Sequence, residues 1–174
     1  MDAKLILSKA QIKEGMKVAD LGCGASGHFV FPSARLVGKK GVVYAVDIMK
    51  TILVTIEKRA KLDNFQNIKT VWTDLEIFGA TKIEACSLDA AYLINTLYQS
   101  KKRLEIIRES SRLIKKKGKL VIVEWKSSAL PFGPSVEDRV DKDLIKRGAA
   151  KLELNILEEF EAGEYHYGII FEKA

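Results

Sequence analysis

The sequence predicts an α/β fold. It reads as an open, doubly wound sheet, mostly parallel, with an antiparallel C-terminal strand from a terminal β-hairpin. Three observations carry this reading. Short β-branched and aromatic runs alternate with segments of helical period along most of the chain. A glycine-rich turn, Gly22-Cys23-Gly24-Ala25-Ser26-Gly27, stands between the first such run and a helix-like segment. The last two runs are separated only by Glu161-Ala162-Gly163-Glu164, a hairpin-length connection.

The elements follow in order. Leu5 to Ala10 reads as a short leading helix, and Lys17 to Leu21 as the first strand. His28 to Val37 carries apolar residues at helical spacing, with Pro32 early and Gly38 placed to end it. Gly41 to Val46 is a continuous apolar run, as expected of a strand buried on both faces. Lys50 to Leu62 is an amphipathic helix and Asn67 to Trp72 a third strand. Leu75 to Ser87 suggests one short helix and a loop. Leu88 to Ile94 is a fourth strand, Lys101 to Lys116 a strongly amphipathic helix, and Lys119 to Glu124 a fifth strand. A loop with Ser127-Ser128, Pro131 and Gly133-Pro134 precedes a helix over Ser135 to Gly148. Leu154 to Phe160 and Tyr165 to Phe171 form the terminal hairpin.

Composition narrows the class. The 174 residues suffice for one domain over 1–174 that buries roughly 70% of the surface its unfolded chain would expose. Apolar content of 47% and charged content of 30% are those of a soluble globular protein. No apolar stretch approaches the roughly 20 residues a bilayer crossing needs. The start, Met1-Asp2-Ala3-Lys4, lacks the layout of a signal peptide. Cys23 and Cys86 are far apart and lack metal-ligand spacing, which argues against a disulfide framework or a metal site and for a cytoplasmic setting. The net charge of +6 would help binding to RNA, but most lysines stand beside glutamates, as solvated helix faces do.

Ligands on such sheets bind outside the carboxyl ends of the strands. Asp20 and the glycines Gly22, Gly24 and Gly27 end the first strand, and Asp47 ends the second, where a carboxylate can accept two hydrogen bonds from a ribose diol. Asp74 follows the third strand, within reach of an adenine amino group. Asn95, Thr96, Tyr98 and Gln99 follow the fourth. The spacing also fits a dinucleotide enzyme. Asp20 argues against it, since a carboxylate beside a pyrophosphate is repulsive and beside a cation favourable. Asp47 and Asp74 also suit helix N-caps, and Cys23 suits a position that needs a small residue.

The chain resembles a class I S-adenosylmethionine-dependent methyltransferase, in particular the small-molecule branch that includes quinone-biosynthesis enzymes. Val18-Ala19-Asp20-Leu21-Gly22-Cys23-Gly24 resembles the first motif of that family and Val43-Tyr44-Ala45-Val46-Asp47 the second. Thr73-Asp74-Leu75 resembles the third and Leu93 to Tyr98 the fourth. Leu113 to Glu124 resembles the turn and fifth strand. The resemblance implies a Rossmann-like sheet and an S-adenosylmethionine site made from Asp20, Gly22, Cys23, Gly24, Gly27, Asp47, Ile48, Asp74, Leu75 and Asn95. It departs from the family where Tyr98-Gln99 replaces a frequent histidine, and in having one short helix before the first strand.

The acceptor side is expected around His28, Phe29, Tyr98, Gln99, Phe132 and Arg139. The loop Ala129 to Ser135 suits a pocket wall or a plain connection, with Arg139 anchoring it or meeting an anionic substrate. His28 reads as structural or pocket-lining, and His166 as packed or at a sheet edge. Tyr98, His28, Glu124 and His166 are candidate bases, none of them obvious. The fourth strand is followed neither by an Asn/Asp-Pro-Pro-aromatic run nor by cysteine, which argues against methylation of amino groups on adenine or glutamine and against attack at pyrimidine C5. A small-molecule acceptor is expected. An RNA- or protein-directed enzyme and a non-catalytic binding module are the alternatives.

Overall fold

The computed structural model describes residues 1–127 and 132–174. Seven strands form one sheet in the order β3-β2-β1-β4-β5-β7-β6. They are β1 (Lys17–Leu21), β2 (Val42–Asp47), β3 (Ile68–Trp72), β4 (Leu88–Ile94), β5 (Ile114–Trp125), β6 (Leu154–Glu161) and β7 (His166–Lys173). β1 to β5 are parallel neighbours, and β7 runs antiparallel to both β5 and β6. The strand order reverses between β1 and β4, which opens a crevice at their carboxyl ends.

The alternation of side chains builds two cores. Val18, Val43, Ala90, Tyr92, Val121 and Val123 face α1 (Ala3–Lys9), α2 (Val30–Val37) and α3 (Lys50–Leu62). Their neighbours Ala19, Leu93, Leu120 and Ile122 face α4 (Arg103–Leu113) and α5 (Lys142–Ala150). Both faces of the sheet are therefore covered, which accounts for the unbroken apolar runs in the sequence.

Several boundaries differ from the sequence reading, each for a local reason. α1 begins two residues early because Asp2 caps it, accepting the Lys4 N–H at 2.8 Å and the Leu5 N–H at 3.3 Å. The expected helix over Lys101 to Lys116 stops at Leu113 and passes directly into β5. Ile114 pairs with Leu88, the register then shifts before Ala90, and Lys117 adopts φ 62°. The expected helix over Ser135 to Gly148 is a turn followed by α5, which starts after its own cap, Asp141. Gly133 and Pro134 fall in the preceding loop; Ser128 and Pro131, which were read as loop residues, lie outside the described residues.

The ambiguous stretch after β3 contains turns and no helix. It is pinned from α4. The buried Glu109 carboxylate accepts the Gly79 N–H at 2.8 Å and the Thr81 N–H at 3.0 Å, and Arg112 grips the same carboxylate at 2.7 and 2.8 Å. Burial alone would raise the Glu109 pKa, but Arg112 and the two amides outweigh it and hold the group at about 2.

Candidate functional site

The crevice at the switch point holds a pocket of about 320 Å³. The turn after β1 forms one wall. Gly22 and Cys23 donate their N–H groups to the Val46 carbonyl at 2.8 and 3.0 Å, tying the turn to the end of β2. Gly22 has φ 86°, and a Cβ there would lie 2.7 Å from Thr96 Oγ1. Gly24 has φ 61° and open space where its Cβ would stand, so the backbone itself faces the pocket. Gly27 packs elsewhere, toward Phe31 and Ile56.

Asp47 closes the second wall. Its Oδ2 accepts the Gly24 N–H at 3.2 Å and its Oδ1 accepts the Met49 N–H at 2.9 Å. After β3, Asp74 Oδ1 accepts the Glu76 N–H at 2.9 Å in a side-chain turn. The buried Thr73 hydroxyl also lines the pocket and has no partner. Ile48 stands on the rim, 58% exposed, an apolar surface held where a flat ring can lie against it.

Charge is concentrated at the glycine turn. Asp20 is buried beneath it, and burial together with the Asp47 charge pushes its pKa up to about 7. Among the described residues no cationic side chain contributes to the shift of Asp20. Burial and the same two acids push the Cys23 thiol up, so it stays protonated and is no nucleophile.

Known proteins share this fold. The family model described as "Methyltransferase domain" matches residues 12–165. That match spans most of the chain. The chain belongs to this methyltransferase family. It is 34% identical over 119 residues to the "Probable cobalt-precorrin-6B C(15)-methyltransferase (decarboxylating)" of Saccharolobus solfataricus. The alignment covers 68% of this chain and 57% of that protein, so the chain spans little more than half the length of that relative. Among solved structures it is similar to a SAM-dependent methyltransferase from Aquifex aeolicus, with a TM-score of 0.89 and 22% identity, over 99% of this chain and 90% of the other. The structure of a "putative type 11 methyltransferase" from Sulfolobus solfataricus matches with a TM-score of 0.78 and 20% identity, over 98% and 91%. Both structures share the methyltransferase fold.

Six of the residues expected on the cofactor side line this pocket together: Gly22, Gly24, Asp47, Ile48, Asp74 and Leu75. Asp20 and Cys23 lie behind them, within electrostatic reach. Asn95 turns away from the pocket, its Nδ2 lying 3.2 Å from His166 Nε2. On the acceptor side, Gln99 lines the pocket and donates to the Asn95 carbonyl at 2.9 Å, while Tyr98 packs partly into the core. His28 is exposed, its Nε2 lying 3.2 Å from the Met1 carbonyl, and Phe29 is a core residue against Tyr92. Phe132 is 47% exposed. Arg139 is buried and donates to the carbonyls of Pro134, Lys126 and Phe132 at 3.2 to 3.4 Å, which ties down the loop after β5.

Sequence reasoning missed Met49, Ile52, Thr73, Glu76, Ser100 and Ile106 in the lining, while Thr96, named in the polar cluster after the fourth strand, does line it. Met49 and Thr73 adjoin residues it named, so the strand-end rule read one residue wider would have found them. Glu124 was considered only as a base. It is fully buried, and its Oε1 accepts the Leu97 N–H at 2.6 Å, so it clamps the segment after β4. Burial pushes its pKa up to about 7 against the pull of the Leu97, Tyr98 and Thr96 amides.

Proposed function

We propose that this chain transfers a methyl group from S-adenosylmethionine to a small-molecule acceptor, as one cytoplasmic domain. The observation that carries the reading is the pair of carboxyls, Asp20 and Asp47, at a glycine turn that opens onto the switch-point pocket. A cationic sulfonium cofactor neutralises that pair, and a pyrophosphate would repel it. Asp47 has lone pairs left for a ribose diol, since each oxygen accepts a single amide. Ile48 and Leu75 offer apolar surface to the adenine, and Asp74 with the unpartnered Thr73 hydroxyl offers hydrogen-bonding groups to its edge. Gly24 gives the amino-acid end close access to the backbone.

When bound, the cofactor supplies an activated methyl group. The chain supplies binding and alignment. No Lys or Arg lines this pocket. Arg35, Lys39, Lys40 and Lys69 line a second cavity near the amino ends of β2 and β3, at the far end of the sheet, so they do not guide RNA to the methyl group. The relative from Saccharolobus solfataricus is named for a small acceptor, which supports the same class. No described helix is long and apolar enough to cross a membrane.

Calorimetry with S-adenosylmethionine and its demethylated product is the direct test. Binding of both, weakened in Asp47→Ala, is expected, with label from methyl-labelled cofactor passing to a metabolite extract and not to RNA. Binding of NAD in their place overturns the reading.

A further inference from the structure

A second cluster adjoins the pocket, where the carboxyl ends of β4 and β5 meet the start of β7. Asn95 ends β4 with φ 53°, an uncommon backbone region that Asn tolerates better than most residues. Its N–H donates to the Val123 carbonyl at 2.8 Å, which fixes the turn. The turn aims its carboxamide at His166, the first residue of β7. His166 is the register partner of Trp125, and the two ring centroids are 4.3 Å apart. Phe132 lies edge-on to Trp125 at 6.3 Å and to Tyr165 at 4.7 Å. The result is an aromatic corner with a single imidazole in it.

This corner contains unspent hydrogen-bonding capacity. Asn95 Oδ1 and Trp125 Nε1 are both buried without a partner. Such atoms are rare because each costs about 1–3 kcal/mol. One of the carboxamide's two ends meets His166 Nε2, and whichever end that is, the other stays unsatisfied. With the carboxamide oxygen on His166 Nε2–H, the Asn95 NH2 and Trp125 Nε1 are left as unpartnered donors and His166 Nδ1 as an acceptor, next to Thr96 and Gln99, which line the cofactor pocket.

We infer that this corner is the acceptor subsite, that it takes a planar small molecule bearing an ionisable hydroxyl of the phenol or enol type, and that His166 is the catalytic base. The inference rests on the methyl-transfer reading above. Asn95 is the positioning residue: with its carboxamide turned oxygen-first toward the ring, it accepts from His166 Nε2–H, which leaves the Nδ1 lone pair free. The acceptor hydroxyl gives its proton to Nδ1 as its oxygen bonds to the methyl carbon. The carbon–sulfur pair stays on sulfur, and the imidazolium then releases the proton to water. The aromatic walls suit a flat ring. The charges facing the corner favour an oxygen that becomes negative and oppose an amine. They are the amino terminus and Lys126, the latter ion-paired to Glu161. Burial first, then these two cations, holds the His166 pKa below the ordinary imidazole value, so the base is neutral at pH 7.

The test uses the full chain saturated with S-adenosylhomocysteine and 4-nitrophenol as the probe. The chain has two histidines, so His28→Gln assigns the His166 ring resonances. The probe is expected to move the His166 and Trp125 ring signals, to bind as its phenolate while His166 gains a proton, and to bind about tenfold more weakly to His166→Gln. Asn95→Ala is expected to change the His166 titration midpoint and to move the pH profile of kcat with it, which loss of packing alone would not do. Undisturbed His166 and Trp125 signals in the wild-type protein overturn the inference, as does tighter binding of phenethylamine. If S-adenosylhomocysteine itself does not bind, the methyl-transfer reading fails as well. If it binds and the phenol does not, only the acceptor subsite fails.

Discussion

The Asp47 carboxylate holds the Gly24 amide at 3.2 Å across the mouth of the pocket, and its other oxygen holds the Met49 amide at 2.9 Å. One side chain thus fixes both the glycine turn and the start of α3 before any ligand arrives. Asp47→Ala should remove both bonds. The expected cost is about 1–3 kcal/mol in unfolding free energy and a loss of S-adenosylhomocysteine affinity of tenfold or more. Asp47→Asn should lose less stability, because its one oxygen still accepts an amide. Denaturant melts and calorimetry on the two variants check the pair of effects.

Asp20 is expected to make cofactor binding pH-dependent. Its pKa of about 7 in the free protein lies above the ordinary 3.8, so folding favours its protonated form. Its contribution to stability is therefore full below the ordinary value and is lost as the pH rises through about 7. A cationic cofactor prefers the ionised form, so its affinity should rise between about pH 6 and about pH 8. Asp20→Asn should flatten that rise and raise the melting temperature of the free protein on the alkaline side. Calorimetry and thermal melts across this range test both signs; a steep rise that survives in Asp20→Asn would remove Asp20 from the account.

The part of the pocket lining that follows strand ends was legible in the sequence because local rules govern it. Gly22, Gly24, Asp47, Asp74 and Leu75 follow strand ends directly, so chain position fixes their place in space. Residues brought in by long-range packing were not legible. Glu124 reaches the segment after β4 across adjacent strands, and Asn95 meets His166 from 71 positions away. The stretch after β3 looked irregular because its order comes from Glu109 on α4, not from its own composition. The end of α4 was misplaced because Lys115 to Lys117 have good helix propensity, while the burial of Ile114 against β4 starts a strand there.

Gly22 has little latitude. A methyl group there would meet Thr96 Oγ1 at 2.7 Å and Cγ2 at 2.9 Å, with the backbone at φ 86°. Gly22→Ala should cost about 1–2 kcal/mol from the backbone alone, with the collision added. Thr96→Ser in the same chain should relieve the methyl contact and restore part of the loss, leaving the backbone cost. A double-mutant cycle by urea melts measures the coupling. Additive effects would mean that Thr96 moves aside without cost.

Glu109 and Arg112 anchor the segment that carries Asp74 and Leu75 toward α4. Glu109→Gln removes the charge while keeping the shape, and it leaves Arg112 without its ion pair. Breaking a buried pair in this way costs about 3 kcal/mol or more. Because the Glu109 pKa is held at about 2, below the ordinary 4.5, its contribution is full above the ordinary value and fades only as the pH falls toward about 2. The variant should therefore be less stable than the wild type at neutral pH, and the gap should narrow in acid. It should also lose S-adenosylhomocysteine affinity, since at most one of the Gly79 and Thr81 amides keeps its acceptor and the stretch beside the wall proposed for the adenine is less firmly held. Hydrogen exchange localises the effect: faster exchange at the Gly79 and Thr81 amides, with β1 and β4 unchanged, is the expected pattern. Uniform acceleration across the sheet would mean that Glu109 supports the whole core, not this wall.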